Sequence, residues 1–289
     1  MYYDEDLVLD LRLNILDKFV DKFIIVESTF THSGEKRDLL FDIKKYKSFE
    51  NKINYIVLDR EPSNLEIIEH SDSLDKKNSK YIMNALKREN FQRNTIIEGL
   101  QEAKDEDLIL VSDVDEIPNL DHLNLDEINN NIILFKQNFY YYKFNLKLED
   151  MPWYGTKGCK FKKLKSPQWL RNIKGKKYPI WRLDLLFSDK KYSNLIFVDN
   201  GGWHFSNMKT PEEIEKKMRT YLHHREYDIK PLGTKKIEEI IKSKKSIYNL
   251  RADMKTEKID GTQNLITTNG QELPEYIKRN KVKYSNWIE

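Results

Sequence analysis

The strongest constraint on the fold is the alternation of short apolar segments with helical patterns from residue 1 to about residue 137. Four segments are apolar at consecutive positions, as in strands covered on both faces. They are KFIIVES (22–28), INYIVLD (53–59), DLILVSD (107–113) and NIILFKQ (131–137). Helical periodicity lies between them, most clearly in EDLVLDLRLNILDKFV and NSKYIMNALKRENFQRNTIIEGLQEA. This order predicts an α/β domain whose sheet is largely parallel and covered by helices.

From about residue 138 to 210 the chain is aromatic and basic, with period-two stretches that suggest antiparallel strands. A further apolar strand, NLIFVD, leads into NGGWHFS. Beyond it, PEEIEKKMRTYLHHREYD and GTKKIEEIIKSKKS have helical patterns, and Pro211 suits a first helical turn. We find no repeat and no obvious linker, and therefore predict a single domain over residues 1–289.

The charge balance and the cysteine content exclude several classes of protein. The 50 Lys and Arg residues are interleaved with 47 Asp and Glu residues, so no basic stripe indicates nucleic-acid binding. Cys159 is the only cysteine, which excludes an intrachain disulfide and a zinc site built from several thiolates. There is neither a signal peptide pattern nor an apolar run of the ~20 residues that cross a bilayer. We therefore expect a soluble, cytoplasmic protein.

The segment LVSDVDEIP places Asp113 and Asp115 directly after an apolar strand, where open α/β sheets bind their ligands. In extended backbone, residues two apart face the same side, so both carboxylates can point into one cleft. A divalent cation and substrate phosphates would relieve the repulsion between them. The alternative is that these acidic residues only cap a helix or fill a turn.

A second candidate is His204 in DNGGWHFS, which follows another apolar strand and a Gly-Gly turn. The glycines permit a tight turn, and a neutral ring nitrogen could reach a metal. A lone histidine is otherwise more often a surface or core residue. We interpret His223 and His224, in a charged helical stretch, as residues of a solvated face.

Four ordered segments together resemble the family 17 glycosyltransferases. They are DEDLVLDLRLNILDKFVDKFIIVESTFTHSGEKRDLLF, ALKRENFQRNTIIEGL, LVSDVDEIP and GGWHFS, and the resemblance runs from about residue 4 to the helices after His204. Animal members of this family include the β-1,4-mannosyl-glycoprotein N-acetylglucosaminyltransferase. The resemblance implies a GT-A type, Rossmann-like fold, an Asp-x-Asp motif, a divalent metal that is usually Mn²⁺, and inverting transfer from a UDP-sugar.

The resemblance also implies an organisation and a set of binding residues. Residues 1 to about 137 would bind the nucleotide sugar, residues 138–210 would face the acceptor, and residues 211–289 would form C-terminal helices. Asp115 would bind the metal, with Asp113 on the ribose or donor sugar and assisting the metal. His204 would be a further metal ligand, and Glu27 would lie near the nucleotide.

Two arginines on the long predicted helix, Arg88 and Arg93, could approach the donor phosphates. The alternative is that they are exposed partners of Glu89 and Glu98. The family-level donor preference is UDP-N-acetylglucosamine, and the acceptor would be a glycan or a glycolipid. Peripheral association with a membrane is compatible with this activity, and no nucleic-acid partner is expected.

Inverting transfer needs a base that deprotonates the acceptor hydroxyl. The candidates are Asp184, which fold analogy favours, then Glu116 and Asp199. Glu116 could instead cap or orient the turn that follows the strand. The region from Phe139 to Arg182 would contact the acceptor through tryptophans, tyrosines and Arg171, although such aromatic residues are also ordinary core material.

Two features separate this chain from the animal enzymes. Family members usually open with a strand before the equivalent of YYDEDLVLDLRLN, so we expect either an upstream start or a sheet without its first strand. The animal enzymes also carry a membrane anchor, so the bisecting reaction is not transferred to this chain. Two other functions stay open: an inactive carbohydrate-binding protein on the same fold, and a metal-dependent nucleotidyltransferase or phosphohydrolase.

Overall fold

The computed structural model describes residues 1–121, 123–124, 128, 131–179, 181–185, 187–222, 224–249 and 263–289. The α-helices of the described chain are α1 (Asp6–Leu16), α2 (Leu74–Asn94), α3 (Pro167–Asn172), α4 (Pro211–Thr220), α5 (His224–Ile229), α6 (Thr234–Lys242) and α7 (Glu275–Arg279). The strands are β1 (Phe23–Ser28), β2 (Ile53–Leu58), β3 (Leu108–Val111), β4 (Glu116–Pro118), β5 (Ile132–Phe135), β6 (Gln137–Tyr141), β7 (Leu146–Trp153), β8 (Lys157–Lys160), β9 (Leu195–Val198), β10 (Gly202–Ser206) and β11 (Ile266–Thr267).

The strands form three sheets, with the orders β1-β2, β11-β7-β6-β10-β4 and β3-β8-β5-β9. Parallel pairs join β1 to β2, β6 to β10 and β5 to β9. The other pairings in the described part of the chain are antiparallel. The α/β class is confirmed, but the sheets are mixed instead of mostly parallel. The alternation of strands and helices predicted that β3 and β5 are parallel strands of one sheet. In the structure β8 lies between them and pairs antiparallel with both.

The five apolar segments interpreted as strands all form strands, namely β1, β2, β3, β5 and β9. Burial on both faces, however, is wrong for β2, since Asn54 and Val57 are exposed and Leu58 alone of its six residues is buried. The long predicted helix also ends before its sequence pattern does. α2 ends at Asn94, and a 3₁₀ turn follows at Thr95–Gly99. The Ser73 hydroxyl caps the start of α2 by accepting the N–H of Lys76.

Three hydrophobic clusters hold the elements together. The first packs α1 against β1 and extends to β10 and to Tyr284, which follows α7. The second packs β6 and β7 against α4 and α6, and the third joins β3, β5 and α3. The first and second clusters meet at β10, where Phe205 belongs to one and His204 contacts Phe139 of the other. The loops after β3 and before β10 are thus fixed by packed strands.

Near its first residue the chain lies alongside β1. Tyr2 forms a parallel bridge with Glu27, and its N–H donates to the carbonyl of Val26 at 3.0 Å. In the described residues, no helix has both the length and the apolar character that crossing a membrane requires.

Candidate functional site

A tight turn after β3 carries the acidic motif. The Asp113 N–H donates to Glu116 Oε2 at 2.9 Å, and the Glu116 N–H donates back to the Asp113 carbonyl at 3.1 Å. From α1, the Arg12 guanidinium donates to the Glu116 carbonyl at 2.6 Å and to Ser112 Oγ at 2.7 Å. The backbone of the turn is therefore fixed on both sides, and Asp113 and Asp115 line the cavity beside it.

Two arginines neutralise the carboxylate of Asp113. Arg93 Nη2 lies 3.1 Å from Oδ1, and Arg171 Nη2 lies 2.9 Å from Oδ2. Burial raises the pKa of Asp113, but these two cations outweigh burial and hold the pKa well below its usual range. Arg93 also binds Glu89 at 2.7 Å, as one sequence interpretation predicted, but it is buried and not exposed as that interpretation had it. Asp113 is thus a paired anion in the protein itself.

Glu116 lies behind Asp113 and is 1% exposed. Its Oε1 accepts from Trp153 Nε1 at 2.6 Å and from Arg171 Nη2 at 2.7 Å, while Oε2 accepts from Arg171 Nη1 at 2.8 Å. Gly155 leaves the room for this arrangement, because a Cβ there would overlap the Glu116 carboxylate. Glu116 therefore orients the turn and Arg171, as one of the two sequence interpretations predicted.

The second aspartate of the motif has a different environment. β10 pairs with β4 so that His204 lies opposite Glu116, and the Phe205 N–H donates to the Asp115 carbonyl at 2.9 Å. This register places His204 Nε2 3.5 Å from Asp115 Oδ2. Burial raises the pKa of Asp115, but the neighbouring His204 ring outweighs burial and lowers it.

His204 is held by rings on two sides. Trp153 stacks on the imidazole at a centroid distance of 4.9 Å, and Phe139 contacts it edge-on at 4.1 Å. The Nδ1 atom is buried and has no hydrogen-bond partner among the described residues. The two glycines before His204 form the predicted tight turn, in which Gly202 has a φ of +119°.

The chemistry of Asp115 and His204 fits a divalent cation. Imidazole nitrogen and carboxylate oxygen are both accepted by Mn²⁺. Their 3.5 Å separation is close to the ~3.0–3.4 Å between two ligand atoms on one cation with bonds of about 2.1 Å. No three His, Cys, Asp or Glu side chains in the described ranges come together as a metal site. A cation here would thus have two protein ligands and take oxygen ligands from a substrate.

Beside the acidic turn lies a cavity of about 210 Å³. Its wall includes aromatic side chains, polar side chains of the segment after β1, and carboxylates. The residues that line it include Phe30, Thr31, His32, Gln92, Asp113 and Asp115. His32 Nε2 lies 3.0 Å from Gln92 Oε1, and the Gln92 amide donates to the Val26 carbonyl at 3.1 Å. Burial lowers the pKa of His32, which favours a neutral ring.

Two of the residues predicted for the nucleotide lie in other contacts. Glu27 is fully buried, where it accepts from Arg37 at 2.8 Å and from the Leu40 N–H at 2.8 Å. It therefore fixes the loop after β1, whose residues line the cavity. Arg88 pairs with Glu61 at 2.6 Å and does not line this cavity.

The other candidate bases lie away from the cavity wall. Asp184 binds Arg182 at 2.8 Å and Lys191 at 2.7 Å, and it is not among the residues that line the cavity. Asp199 is 79% exposed in its side chain and pairs with Lys136 at 3.3 Å. The structure thus brings Asp113, Asp115, His204, Arg93 and Glu116 together, and leaves Asp184, Asp199 and Arg88 apart.

The aromatic region and the histidine pair divide between core and surface. Tyr140, Tyr141 and Tyr142 are core residues with at most 2% exposure. The solvated-face interpretation is wrong for His224, which is 4% exposed because it packs edge-on against Tyr81. His223 lies outside the described residues.

Sequence reasoning missed part of the network. Arg171, which the sequence predicts to contact the acceptor, binds the acidic turn, and so do Arg12 and the Trp153 indole, for which the sequence predicts no such contact. These side chains come from segments up to about a hundred residues away, and no local spacing links them to LVSDVDEIP.

Comparisons with known proteins identify the family of this chain. The model of glycosyltransferase family 17 matches residues 1–288. Comparison with curated proteins gave no significant match, and comparison with solved structures gave none either. Since the match spans essentially the whole chain and includes the acidic turn and the histidine strand, the protein belongs to glycosyltransferase family 17 and is a glycosyltransferase.

Proposed function

We propose that the protein transfers a sugar from a UDP-sugar, with N-acetylglucosamine as the family-level preference, to a hydroxyl of a glycan or glycolipid. The observation that carries this proposal is the difference between two aspartates beside one cavity. Asp113 is neutralised by Arg93 and Arg171, whereas the ion-pair contact of the Asp115 side chain in the described residues is His204 at 3.5 Å, with Lys217 as a further cation in the wall of the same cavity. One acidic motif thus offers a fixed anion and a free metal ligand next to each other.

The proposal assigns the donor to the cavity and its rim. The cavity of about 210 Å³ is smaller than the ~300–1,000 Å³ pockets that enclose whole ligands, so it would enclose one end of the nucleotide sugar. Phe30 and His32 offer ring faces there, and Gln92 is fixed by its own hydrogen bonds. The diphosphate would lie at the rim, beside Asp115.

A divalent cation held by Asp115 and His204 would neutralise the departing diphosphate. The protein side chains do the rest of the positioning. Trp153 and Phe139 fix the plane of the His204 ring, and the arginines keep Asp113 ionised beside the rim. Since these groups are fixed before substrate binds, little reorganisation is needed during transfer.

In the proposed reaction, the acceptor oxygen attacks the anomeric carbon and the bond from this carbon to the diphosphate oxygen breaks. The hydroxyl proton passes to a base, and the configuration inverts. Glu116 is unsuited to this role, because its buried oxygens accept hydrogen bonds from Arg171, Trp153 and the Asp113 N–H. Asp184, the other candidate, lies outside the cavity wall, so the proposal moves no proton through it.

The test is an assay of the purified protein with Mn²⁺ and a panel of UDP- and GDP-sugars. We expect one UDP-sugar to bind and to be hydrolysed slowly without acceptor. The Asp115→Asn variant should lower Mn²⁺-dependent turnover by about a hundredfold or more, since it weakens one of two protein ligands. Calorimetric Mn²⁺ binding in the presence of UDP gives a second readout.

The matched control is Asp199→Asn, which removes an exposed carboxylate at the end of another strand. It should leave binding and turnover unchanged. Equal losses in both variants, or wild-type behaviour of Asp115→Asn, would contradict the assigned site. Release of pyrophosphate from nucleoside triphosphates would favour a nucleotidyltransferase, and sugar binding without donor turnover would favour an inactive binding protein.

A further inference from the structure

A loop over residues 174–191, of which the structure describes all but 180 and 186, follows α3. Its neck is closed by a backbone hydrogen bond of 2.8 Å from the Lys174 N–H to the Lys190 carbonyl. Its tip carries three large apolar side chains in contact with solvent. Trp181 is 79% exposed, Leu183 is 75% exposed and Phe187 is 90% exposed. The loop thus has a closed neck and an apolar tip.

Backbone hydrogen bonds order this tip. The Arg182 N–H donates to the Pro179 carbonyl at 3.3 Å, and the Leu185 N–H donates to the Arg182 carbonyl at 3.2 Å. A third bond of 3.4 Å joins the Ser188 N–H to the Leu185 carbonyl. The exposed side chains are therefore carried by a folded turn. Apolar groups held in water in this way mark a binding surface.

The most exposed apolar side chains elsewhere are isolated and need no such explanation. Ile67 is 80% exposed and Val282 is 90% exposed, and no other described large apolar residue within five positions of either is exposed. In the loop, three such side chains lie within seven positions. This concentration separates the tip from the rest of the described surface.

The loop is also basic. Residues 174–191 contain six lysines or arginines and two aspartates. Lys176, Arg182 and Lys191 all lie within 6.0 Å of the Tyr178 ring, so these cations cluster in space. Both aspartates have cationic partners, since Asp184 binds Arg182 and Lys191 and Asp189 binds Lys165. The excess positive charge flanks the apolar tip.

We propose that this loop docks the protein on an anionic lipid bilayer. Trp181, Leu183 and Phe187 would enter the boundary between headgroups and acyl chains, where tryptophan and other apolar side chains are stabilised. Exposed lysines such as Lys174 and Lys177 would contact lipid phosphates, each attracted by the negative surface potential. An apolar tip flanked by cations is complementary to such a surface in both charge and polarity.

The loop connects directly to the site. It follows α3, whose Arg171 binds Asp113 and Glu116, and Lys157 Nζ anchors the start of the loop through the Ile173 carbonyl at 2.5 Å. Docking would hold the loop and the adjoining helix α3 at the membrane. Resting on the proposed function, this geometry selects a glycolipid as acceptor over a soluble glycan.

The experiment is vesicle co-sedimentation of the whole protein without donor or cation. The probes are vesicles of phosphatidylcholine alone and of equal amounts of phosphatidylcholine and phosphatidylglycerol. We expect wild-type binding to the anionic vesicles at least about tenfold stronger than to the neutral ones. Trp181→Ser with Phe187→Ser should weaken it by about tenfold or more. Lys174→Gln with Lys177→Gln should weaken it at low salt and have little effect at high salt.

The matched control is Ile67→Ser with Val282→Ser, which removes equally exposed apolar side chains elsewhere and should leave vesicle binding unchanged. The proposal is overturned if wild type ignores anionic vesicles, or if loop and control variants lose binding equally. It is also overturned if light scattering shows that the loop variant only dissociates a dimer of this chain. UDP-sugar turnover measured without vesicles separates a failure of docking from a failure of the proposed function.

Discussion

Two parts of the site, one around Asp113 and Glu116 and the other around Asp115 and His204, differ in how many of their polar atoms have hydrogen-bond partners in the protein. Around Asp113 and Glu116, both oxygens of each carboxylate accept hydrogen bonds from protein groups. Around Asp115 and His204, one contact of 3.5 Å joins the two side chains. His204 Nδ1 also has no partner among the described residues. Asp113, Asp115 and Glu116 lie within four residues of one another along LVSDVDE, whereas His204 joins them from β10.

The difference separates support from binding. Asp115 Oδ2 and His204 Nε2 are joined by one long contact of 3.5 Å, so both atoms keep the capacity to bind a cation. A carboxylate whose two oxygens both accept hydrogen bonds from protein groups is held in one position and fixes its neighbours. The Asp113 part therefore serves as a rigid support. The Asp115 part is where a ligand can still form contacts with the protein. Three substitutions test this division.

The largest effect should come from Arg171→Met, which breaks the paired part. Arg171 is 16% exposed in its side chain and binds both Asp113 and Glu116, so its loss leaves two carboxylates without their shared cation. We expect the free energy of unfolding to fall by about 3–5 kcal/mol. Urea denaturation followed by tryptophan fluorescence measures this change.

Arg182→Met is the control, because Arg182 also makes two bonds to one carboxylate but lies on the surface. Surface ion pairs contribute little, so its unfolding midpoint should match that of wild type. Equal destabilisation by the two substitutions would show that burial of the network is not what makes Arg171 important.

The fold was predictable where short-range pattern decides. Strands β1, β3 and β5 follow from runs of apolar residues, and α4 follows from Pro211 and its helical pattern. The sheet order was not predictable in the same way. β8, Lys157–Lys160, reads as basic and polar, yet Gly158 and Cys159 let it pass between two apolar strands. Strand pairing depends on such long-range contacts, which periodicity does not encode.

The site divides in the same manner. Asp113, Asp115 and His204 could be located because each follows an apolar strand. The role of Glu116 could not be decided, since it depends on Arg171 and Trp153, which arrive from other segments of the chain. Residues that support a site through side-chain contacts leave no spacing in the sequence, whereas residues delivered by strand ends do.

Trp153→Phe should have a smaller effect and sharpens the comparison, because Trp153 touches both parts. Its indole N–H donates to Glu116 at 2.6 Å, while its ring stacks on His204. Phenylalanine keeps a ring but loses the donor, so the free energy of unfolding should fall by about 1–3 kcal/mol. Mn²⁺ affinity in the presence of UDP should change by less than about threefold, since both proposed ligands remain.

The control for this substitution is Trp153→Leu, which removes the stacking as well. It should lower Mn²⁺ affinity further than phenylalanine does, because the His204 ring is then held on one side only. If the phenylalanine variant unfolds like wild type, the hydrogen bond to Glu116 contributes nothing and the two parts are not coupled through this side chain.

The smallest effect should come from Asp184→Asn, which tests whether an ion-paired aspartate that is not buried affects turnover. Two cations hold the pKa of Asp184 below its usual range, as two arginines do for Asp113. Asp184, however, is 39% exposed in its side chain and lies outside the cavity wall. Water screens its ion pairs, so we expect turnover to change by less than about twofold.

The measurement is steady-state kinetics, and the control variant is Asp189→Asn. Asp189 is a second exposed and paired aspartate of the same loop, so this variant controls for loss of surface charge. A loss of about a hundredfold in Asp184→Asn alone would restore Asp184 as the catalytic base, and would mean that the loop approaches the acceptor during transfer.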